Sequence, residues 1–142
     1  QTTESVSQSY GLSFSTNYKT LPNLTLGYNF TVNDNFSDVI YVDSPTVTLE
    51  YFFLDAFSFV SEYSYYHNRN KSNTIDSEYD FLTASLMYQK KDSKWEWKLS
   101  GTNLLDTKSL DTNSFSQLGG TSTFSSYRVQ PRFVILSLKY RL

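Results

Sequence analysis

Alternation in the last stretch of the chain constrains the fold more than any other feature. Residues 130–142 read QPRFVILSLKYRL, and every second position there is apolar or aromatic: Val134, Leu136, Leu138, Tyr140 and Leu142. The interleaved positions are mixed and become charged toward the end: Phe133, Ile135, Ser137, Lys139 and Arg141. A repeat of two residues predicts a β-strand with one apolar face. About a dozen such residues are long enough to cross a lipid bilayer when the strand is tilted.

The same alternation recurs along the chain and predicts about seven strands in all. The others are expected at residues 9–18, 24–32, 46–53, 57–65, 79–89 and 95–105. The predicted connections alternate in length: 19–23, 54–56 and 90–94 are short, whereas 33–44, 67–78 and 106–126 are long and polar. Outer-membrane β-barrels show this alternation, because their periplasmic turns are short and their outer loops are long.

Composition excludes several other classes of protein. Cys is absent, so the chain has neither a disulfide framework nor a thiolate metal site. The net charge of −2 provides no basic field for binding nucleic acid. The longest apolar runs, such as 51–54 and 133–136, are too short for a transmembrane helix. A transmembrane barrel stays compatible with the mean hydropathy of −0.44, because a polar lumen face offsets the lipid face in any average.

Aromatic residues favour the membrane barrel over its main alternative, a soluble β-sandwich. A sandwich also alternates and has turns every 8–12 residues or so. Strands in a sandwich are shorter on average, however, than the strands predicted here, which have four or five alternate apolar positions each. Aromatic side chains also lie near the predicted strand ends, as expected for the two girdles at the membrane interfaces: Tyr10, Tyr18, Phe53, Phe57, Tyr65, Tyr88, Trp95, Trp97 and Tyr140.

The predicted fold is therefore an all-β, antiparallel transmembrane β-barrel. Bacterial single-chain barrels have an even number of strands and begin in the periplasm. About seven strands do not satisfy that rule, so residues 1–142 are expected to be the C-terminal part of a larger outer-membrane barrel domain. No signal peptide precedes Gln1, so the sequence is expected to be a mature chain or a piece of a longer one.

Candidates for catalysis are few. The single histidine, His67, follows Tyr65 and Tyr66 at the outer end of the fourth predicted strand, and we expect it to be an interfacial or loop residue. A hydrolase would need a Ser or Asp partner near it. Glu50 and Glu62 are predicted to face inward on adjacent strands, where they could share a proton or a ligand. The alternative is that both carboxylates meet water or other lumen groups.

Other charged residues are expected to have structural roles. Lys98, Lys139 and Arg141 are inward cations near the periplasmic end and are predicted to neutralise Glu96. A set of acidic residues, Asp34, Asp38 and Asp43, lacks the spacing of a calcium loop. The sequence contains no phosphate loop, zinc motif or dinucleotide-binding glycine pattern. No catalytic, cofactor-binding or metal-binding residue is therefore predicted.

The last third of the chain resembles the C-terminal end of TonB-dependent outer-membrane receptors. The segments that carry the resemblance are LSGTNLLDTKSL, residues 99–110, and SSYRVQPRFVILSLKYRL, residues 125–142. They are most similar to the SusC-like branch, in which a carboxypeptidase-regulatory-like domain precedes the plug. The positions that match the motif are Asn103, Leu104, Leu105, Asp106, Pro131 and Arg132. The terminal Leu142 departs from the pattern, since many barrels end in Phe.

This resemblance implies a barrel of about 22 strands around an N-terminal plug. Such a transporter imports a scarce nutrient across the bacterial outer membrane with energy supplied through TonB. The plug and the TonB-contacting segment would precede Gln1. The chain would supply part of the wall, the outer loops and the C-terminal insertion strand, formed by Val134, Leu136, Leu138, Tyr140 and Leu142.

The implied partners are outer-membrane lipid, the rest of the barrel with its plug, TonB, and a surface lipoprotein lid or other outer-membrane proteins. The three long loops are the expected participants in gating and ligand contact. An alternative function is a scaffold of the same family that docks other outer-membrane proteins and transports nothing. An outer-membrane enzyme is the third class, and a Ser or Asp within hydrogen-bond reach of His67 would favour it.

Overall fold

The computed structural model describes residues 6–35, 38–116 and 121–141. Within these residues the secondary structure consists of β-strands and turns, with no helix. The strands are β1 (Val6–Ser15), β2 (Asn23–Asn35), β3 (Asp38–Phe53), β4 (Phe57–Asn70), β5 (Asp76–Gln89), β6 (Trp95–Thr102), β7 (Ser109–Ser116), β8 (Thr121–Arg128) and β9 (Phe133–Tyr140). No helix in the described part is long and apolar enough to cross a membrane.

Seven of the strands form one open antiparallel sheet in the order β1-β2-β3-β4-β5-β6-β9. Sequence neighbours pair from β1 to β6, and β9 then pairs with β6. The remaining two strands, β7 and β8, lie between β6 and β9 in the sequence and form a separate hairpin. The prediction of an all-β fold with seven antiparallel strands in one sheet is confirmed.

The long connections predicted from the sequence are mostly strand. Residues 33–44 belong largely to β2 and β3, and residues 67–78 belong to β4 and β5 apart from the turn at 71–75. Residues 106–126 contain the β7–β8 hairpin. The polar Asn and Asp residues in these segments have low β-propensity. They stay in strands because the neighbouring strand supplies their backbone hydrogen bonds, as in the pairs Asn33↔Ile40 and Asn68↔Val42.

Several predicted strand boundaries also need correction. The first strand is β1, which begins and ends earlier than the predicted 9–18, and β6 ends before the predicted residue 105. The last strand, β9, is shorter than the predicted 130–142, because pairing with β6 begins at Phe133 and ends at Tyr140. Leu142, assigned to the insertion strand, lies outside the described residues.

The seven-stranded sheet is a single layer. Among the described residues, Ala56 is the one apolar side chain that is buried, with 6% exposure, whereas Leu12 is 77% exposed. Cross-strand pairs and backbone hydrogen bonds therefore hold the sheet together, rather than a packed core. An exposed apolar sheet face of this kind is typical of an interaction surface.

Candidate functional site

One face of the sheet carries a continuous apolar surface, here called the apolar band. Register places its members in rows that run across the strands. One row is Phe14, Leu26, Val47, Tyr63 and Leu82, and another is Tyr51, Phe59, Leu86, Leu99 and Leu136. The band exists because each strand alternates and because the pairing keeps most of the apolar positions on the same side.

Aromatic side chains close the band at the end nearest the β3–β4 turn. Phe53 stacks on Phe57 with ring centroids 5.3 Å apart. Phe57 contacts Tyr88 at 5.0 Å, and Tyr88 stacks on Trp97 at 5.6 Å. Trp95 and Tyr140, with centroids 4.8 Å apart, continue the series across β6 and β9. These pairs form a continuous aromatic row across five strands, the lower aromatic row.

The opposite end of the band changes from aromatic to charged within a few residues. Its aromatic members are Tyr10, Tyr28, Phe30, Tyr41, Tyr63 and Tyr65. The Tyr28 hydroxyl donates a hydrogen bond to Asp43. Asp43 also forms an ion pair with Arg69, whose Nη2 lies 3.2 Å from Asp43 Oδ2. Register places Asp43, His67 and Glu78 in one row, here called the charged row. From β3 to β5, therefore, the apolar band gives way to charged side chains on its own face.

The other face of the sheet is mostly polar, although it also carries some apolar side chains such as Phe52 and Ile135. Hydroxyl and amide side chains hydrogen-bond across its strands, as in Ser7 to Asn33 at 2.7 Å and Thr25 to Ser15 at 3.0 Å. The face also contains a shallow hollow of ≈ 480 Å³ lined by residues that include Gly27, Thr46 and Tyr66. A Cβ atom at position 27 would lie 2.5 Å from Thr46 Oγ1, so a glycine is needed for this close approach.

The carboxylates predicted to share a ligand lie on the polar face but are not directly opposite each other. Glu50 pairs with Val60, and Glu62 pairs with Thr48, so the two glutamates are offset along the strands. Both are exposed. This arrangement agrees with the alternative in which the two carboxylates meet water.

The predicted neutralisation of Glu96 is confirmed for two of its three cations. Glu96 Oε2 lies 3.2 Å from Arg141 Nη2 and 3.8 Å from Lys139 Nζ. Lys98 forms no ion pair with Glu96 among the described residues, and its partner in the strand register is Ser137. These ion pairs are partly exposed and are worth at most about 1 kcal/mol each, so they adjust the local charge more than the stability.

His67 lies inside β4, and its Nε2 atom is 2.8 Å from Asp76 Oδ1. The proximity of an Asp meets the criterion set above for reconsidering an enzyme. A nucleophilic mechanism also needs a hydroxyl or thiol bonded to the same imidazole. Among the described side chains, no serine or threonine hydroxyl is hydrogen-bonded to His67, whose imidazole contacts Asp76.

Asn103, the first residue of the family motif, fixes the turn that follows β6. Its side chain is buried, with 3% exposure of the residue. Its Nδ2 donates to the carbonyls of Thr107 and Gln130, each at 2.9 Å, and its Oδ1 accepts the Thr107 N–H at 3.0 Å. The bond to Gln130 attaches the segment leading into β9 to this turn. The motif residue therefore has a clear structural role.

The other motif positions surround this turn. Leu104 donates its N–H to the Leu82 carbonyl, and its side chain lies against Gly101. Asp106 has a φ of 62° and closes the turn by donating its N–H to the Asn103 carbonyl. The remaining members, Leu105, Pro131 and Arg132, are exposed.

A second turn repeats the Asn103 geometry where the sequence resemblance does not extend. Asn70 is buried, and its Oδ1 accepts the N–H of Thr74 at 2.9 Å, as Asn103 accepts that of Thr107. Asn73 has a φ of 54°, matching Asp106. The two turns read NKSNT and NLLDT. The shared pattern, Asn-x-x-Asn/Asp-Thr, is a signal in the sequence that could have predicted the first turn.

The three acidic residues considered as a calcium loop do not converge. Asp34 pairs with Val39 at the end of β2, and Asp43 is bound by Tyr28 and Arg69. Asp38 instead belongs to the Asn70 turn, where it accepts hydrogen bonds from the Ser72 hydroxyl and from Asn70 Nδ2. This separation agrees with the sequence, in which the three residues lack the spacing of a calcium loop.

The turn that Asn70 and Asp38 hold together is predicted to be sensitive to acid. The Ser72 hydroxyl, followed by the Val39 N–H and the Asn70 amide, holds the pKa of Asp38 below its ordinary value of 3.8, against an opposing effect of burial. A lowered pKa gives stability that is present above about pH 3.8 and is lost as the pH falls through the folded-state value.

We expect exchange of the Thr74 and Ile75 amides to accelerate below that pH, relative to their intrinsic rates, in hydrogen-exchange mass spectrometry. Asp38→Asn is the control and should remove the acid-dependent part of the change. Exchange that follows the intrinsic rate down to pH 2 or so would contradict this prediction.

A scan against protein-family models and searches of curated proteins and of solved structures find no match to this chain. The functional interpretation therefore rests on the geometry of the sheet and on the sequence resemblance in residues 99–142.

Proposed function

We propose that the chain is a wall segment of an outer-membrane β-barrel, with the apolar band facing lipid. The observation that carries this proposal is the uncovered apolar face of a single-layer sheet, which ends in aromatic side chains on both sides. Lipid is the apolar phase that matches such a band, because the interfaces favour aromatic residues and the zone beyond them favours charge.

The height of the band is consistent with this placement. On β3 the apolar positions run from Pro45 to Phe53, a length of about 27 Å at roughly 3.4 Å per residue. A strand tilt of about 40° reduces this to roughly 21 Å along the membrane normal. The apolar zone of outer-membrane barrels is about 25 Å tall. The charged row would then lie at the level of the lipid headgroups.

The polar face would line the lumen. Its hydroxyl, amide and charged side chains are those that a water-filled or plugged interior accommodates. The hollow beside Gly27 and Tyr66 would open into this lumen and is a candidate contact surface for a small polar ligand. The outer strands, β1 and β9, each pair with one neighbour in the described sheet. Further strands of the same barrel would complete both edges.

The proposed activity is import of a scarce nutrient with energy supplied through TonB. The sequence resemblance in residues 99–142 supports this choice, together with the Asn103 turn that secures the start of β9. The rest of the barrel, the plug and the TonB-contacting segment would come from other parts of the protein.

Cysteine accessibility tests the lipid-facing wall. The segment lacks Cys, so single cysteines can be placed on the two faces of β3 without removing native thiols. In intact outer-membrane vesicles, Leu49→Cys should resist a water-soluble maleimide and be labelled by a lipid-soluble one. Thr48→Cys should show a higher ratio of water-soluble to lipid-soluble labelling. Equal ratios at the two positions would overturn the placement.

Dependence on TonB tests transport separately. A strain lacking the full protein and a strain whose copy cannot contact TonB should show the same growth defect on one limiting nutrient. Wild-type growth of the uncoupled strain, with a defect in the deletion strain, would favour the scaffold instead. Correct membrane insertion of both protein forms is the necessary control.

A further inference from the structure

Three potential metal ligands converge at the charged end of the apolar face. His67 lies on β4, and Asp76 and Glu78 lie on β5. Glu78 is directly opposite His67 in the register, and Asp76 is one alternate position further along the same face. Their ligand atoms all lie within 4.8 Å of one another. The pairing of two strands therefore creates the cluster, although sequence spacing matches no metal motif.

The distances suit a first-row divalent metal. His67 Nε2 is 2.8 Å from Asp76 Oδ1 and 3.7 Å from Glu78 Oε1. Two ligand atoms that are each about 2.1 Å from a metal, at tetrahedral or octahedral angles, lie roughly 3.0–3.4 Å apart. The two observed distances bracket this range. Small rotations of the carboxylate side chains would bring all three atoms to one ion.

The surrounding charge is negative. Asp76 and Glu78 contribute two carboxylates, and Asp80 adds a third on the same face of β5. The nearby cation, Arg69, is directed to Asp43 at 3.2 Å. A divalent ion would offset the negative charge of these carboxylates.

The cluster is both held in place and accessible. The His67 side chain is 20% exposed and its ring lies against Tyr65, with centroids 6.5 Å apart. The Asp76 side chain is 73% exposed, and that of Glu78 is also largely exposed. The imidazole is therefore fixed on a strand, whereas water can reach the remaining coordination positions.

We propose that His67, Asp76 and Glu78 bind a divalent first-row transition metal such as Zn²⁺. One imidazole nitrogen and two carboxylate oxygens favour Zn²⁺, Co²⁺, Ni²⁺, Fe²⁺ or Mn²⁺ over the oxygen-preferring Ca²⁺ and Mg²⁺ and over the sulfur-preferring Cu⁺. Water completes the coordination. This inference concerns the surface of the sheet and does not require that the protein transports a nutrient.

Calorimetric titration of the full protein with Zn²⁺ tests the proposal. Wild-type protein stripped with a chelator should bind one ion that His67→Gln, Asp76→Asn and Glu78→Gln each weaken by at least about tenfold. Asp80→Asn is the matched control, because it removes a carboxylate from the same face and strand outside the ligand set. Its affinity should stay within about threefold of wild type.

Cobalt provides a second measurement that reports coordination directly. Co²⁺ bound to wild-type protein should give visible absorption bands whose intensity is reduced in Glu78→Gln and retained in Asp80→Asn. Circular dichroism shows whether each variant keeps its β-sheet, and if His67→Gln does not, the two carboxylate variants decide. Wild-type affinity in the folded ligand variants, or equal loss in Asp80→Asn, would overturn the site.

Discussion

The substitution Leu49→Arg is expected to reduce stable insertion of the protein into membranes. Leu49 lies on β3 near the middle of the apolar band, in register with Leu24 on one side and Ser61 on the other. If lipid covers this face, a guanidinium there must enter hydrocarbon. Such a substitution costs about 2–4 kcal/mol at the bilayer midplane. The fraction of folded, heat-modifiable protein in purified outer membranes measures the effect.

The neighbouring residue provides a matched control. Thr48 lies on the same strand with its side chain on the polar face, opposite Glu62. Thr48→Arg introduces the same side chain beside a carboxylate and should leave the folded fraction close to that of wild type. If the two variants insert equally well, the apolar band does not face lipid. If both fail, β3 is sensitive to bulk on either face and the pair should be repeated at Leu86 and Ser85, which are also neighbours on opposite faces.

Alanine at Asn103 is expected to give the largest loss of stability among turn substitutions. It removes the hydrogen bonds from Nδ2 to the carbonyls of Thr107 and Gln130 and the bond that Oδ1 accepts from the Thr107 N–H. Each of these three hydrogen bonds contributes a net of about 0.5–1.5 kcal/mol. Asn103 also has a φ of 50°, a conformation that Ala tolerates less well than Asn by up to about 1 kcal/mol, because the polar Asn side chain hydrogen-bonds locally. A total loss of about 2–4 kcal/mol should appear as a lower urea midpoint for unfolding from lipid vesicles.

Two further variants separate these causes. Asn103→Gly tolerates the positive φ but lacks the amide, so we expect it to be about 1 kcal/mol more stable than Asn103→Ala and still less stable than wild type. Asn103→Asp keeps an acceptor for the Thr107 N–H but loses both donated bonds, so it should be intermediate. An alanine variant as stable as wild type would show that the attachment of Gln130 to this turn contributes little.

Alternation predicted the fold because it is a local signal that pairing preserves. In the last strand it identified Val134, Leu136, Leu138 and Tyr140 as one face, and the register places these residues in rows with the apolar positions of β6. The ends of the strands were not predictable in this way. The segments around Asn33 and Asn68 have no apolar alternation, and they extend only because another strand is already beside them.

The charged cluster shows a second limit of sequence reasoning. His67 was considered by itself, because the residues that meet it are nine and eleven positions away with no motif between them. Only the pairing of β4 with β5 places Asp76 and Glu78 beside the imidazole. The Asn70 turn, by contrast, could have been predicted from the sequence, because its five residues repeat the pattern of residues 103–107.

The continuation of β3 and β4 beyond the charged row changes what binding at that end would involve. These strands stay paired as far as Ile40 and Asn70, where long polar connections had been predicted. A ligand or partner that contacts this rim meets a surface whose backbone is already ordered. Binding there therefore costs little conformational entropy in the backbone of the sheet. Motion that opens or closes such a rim would have to break sheet hydrogen bonds or move the β7–β8 hairpin as a unit.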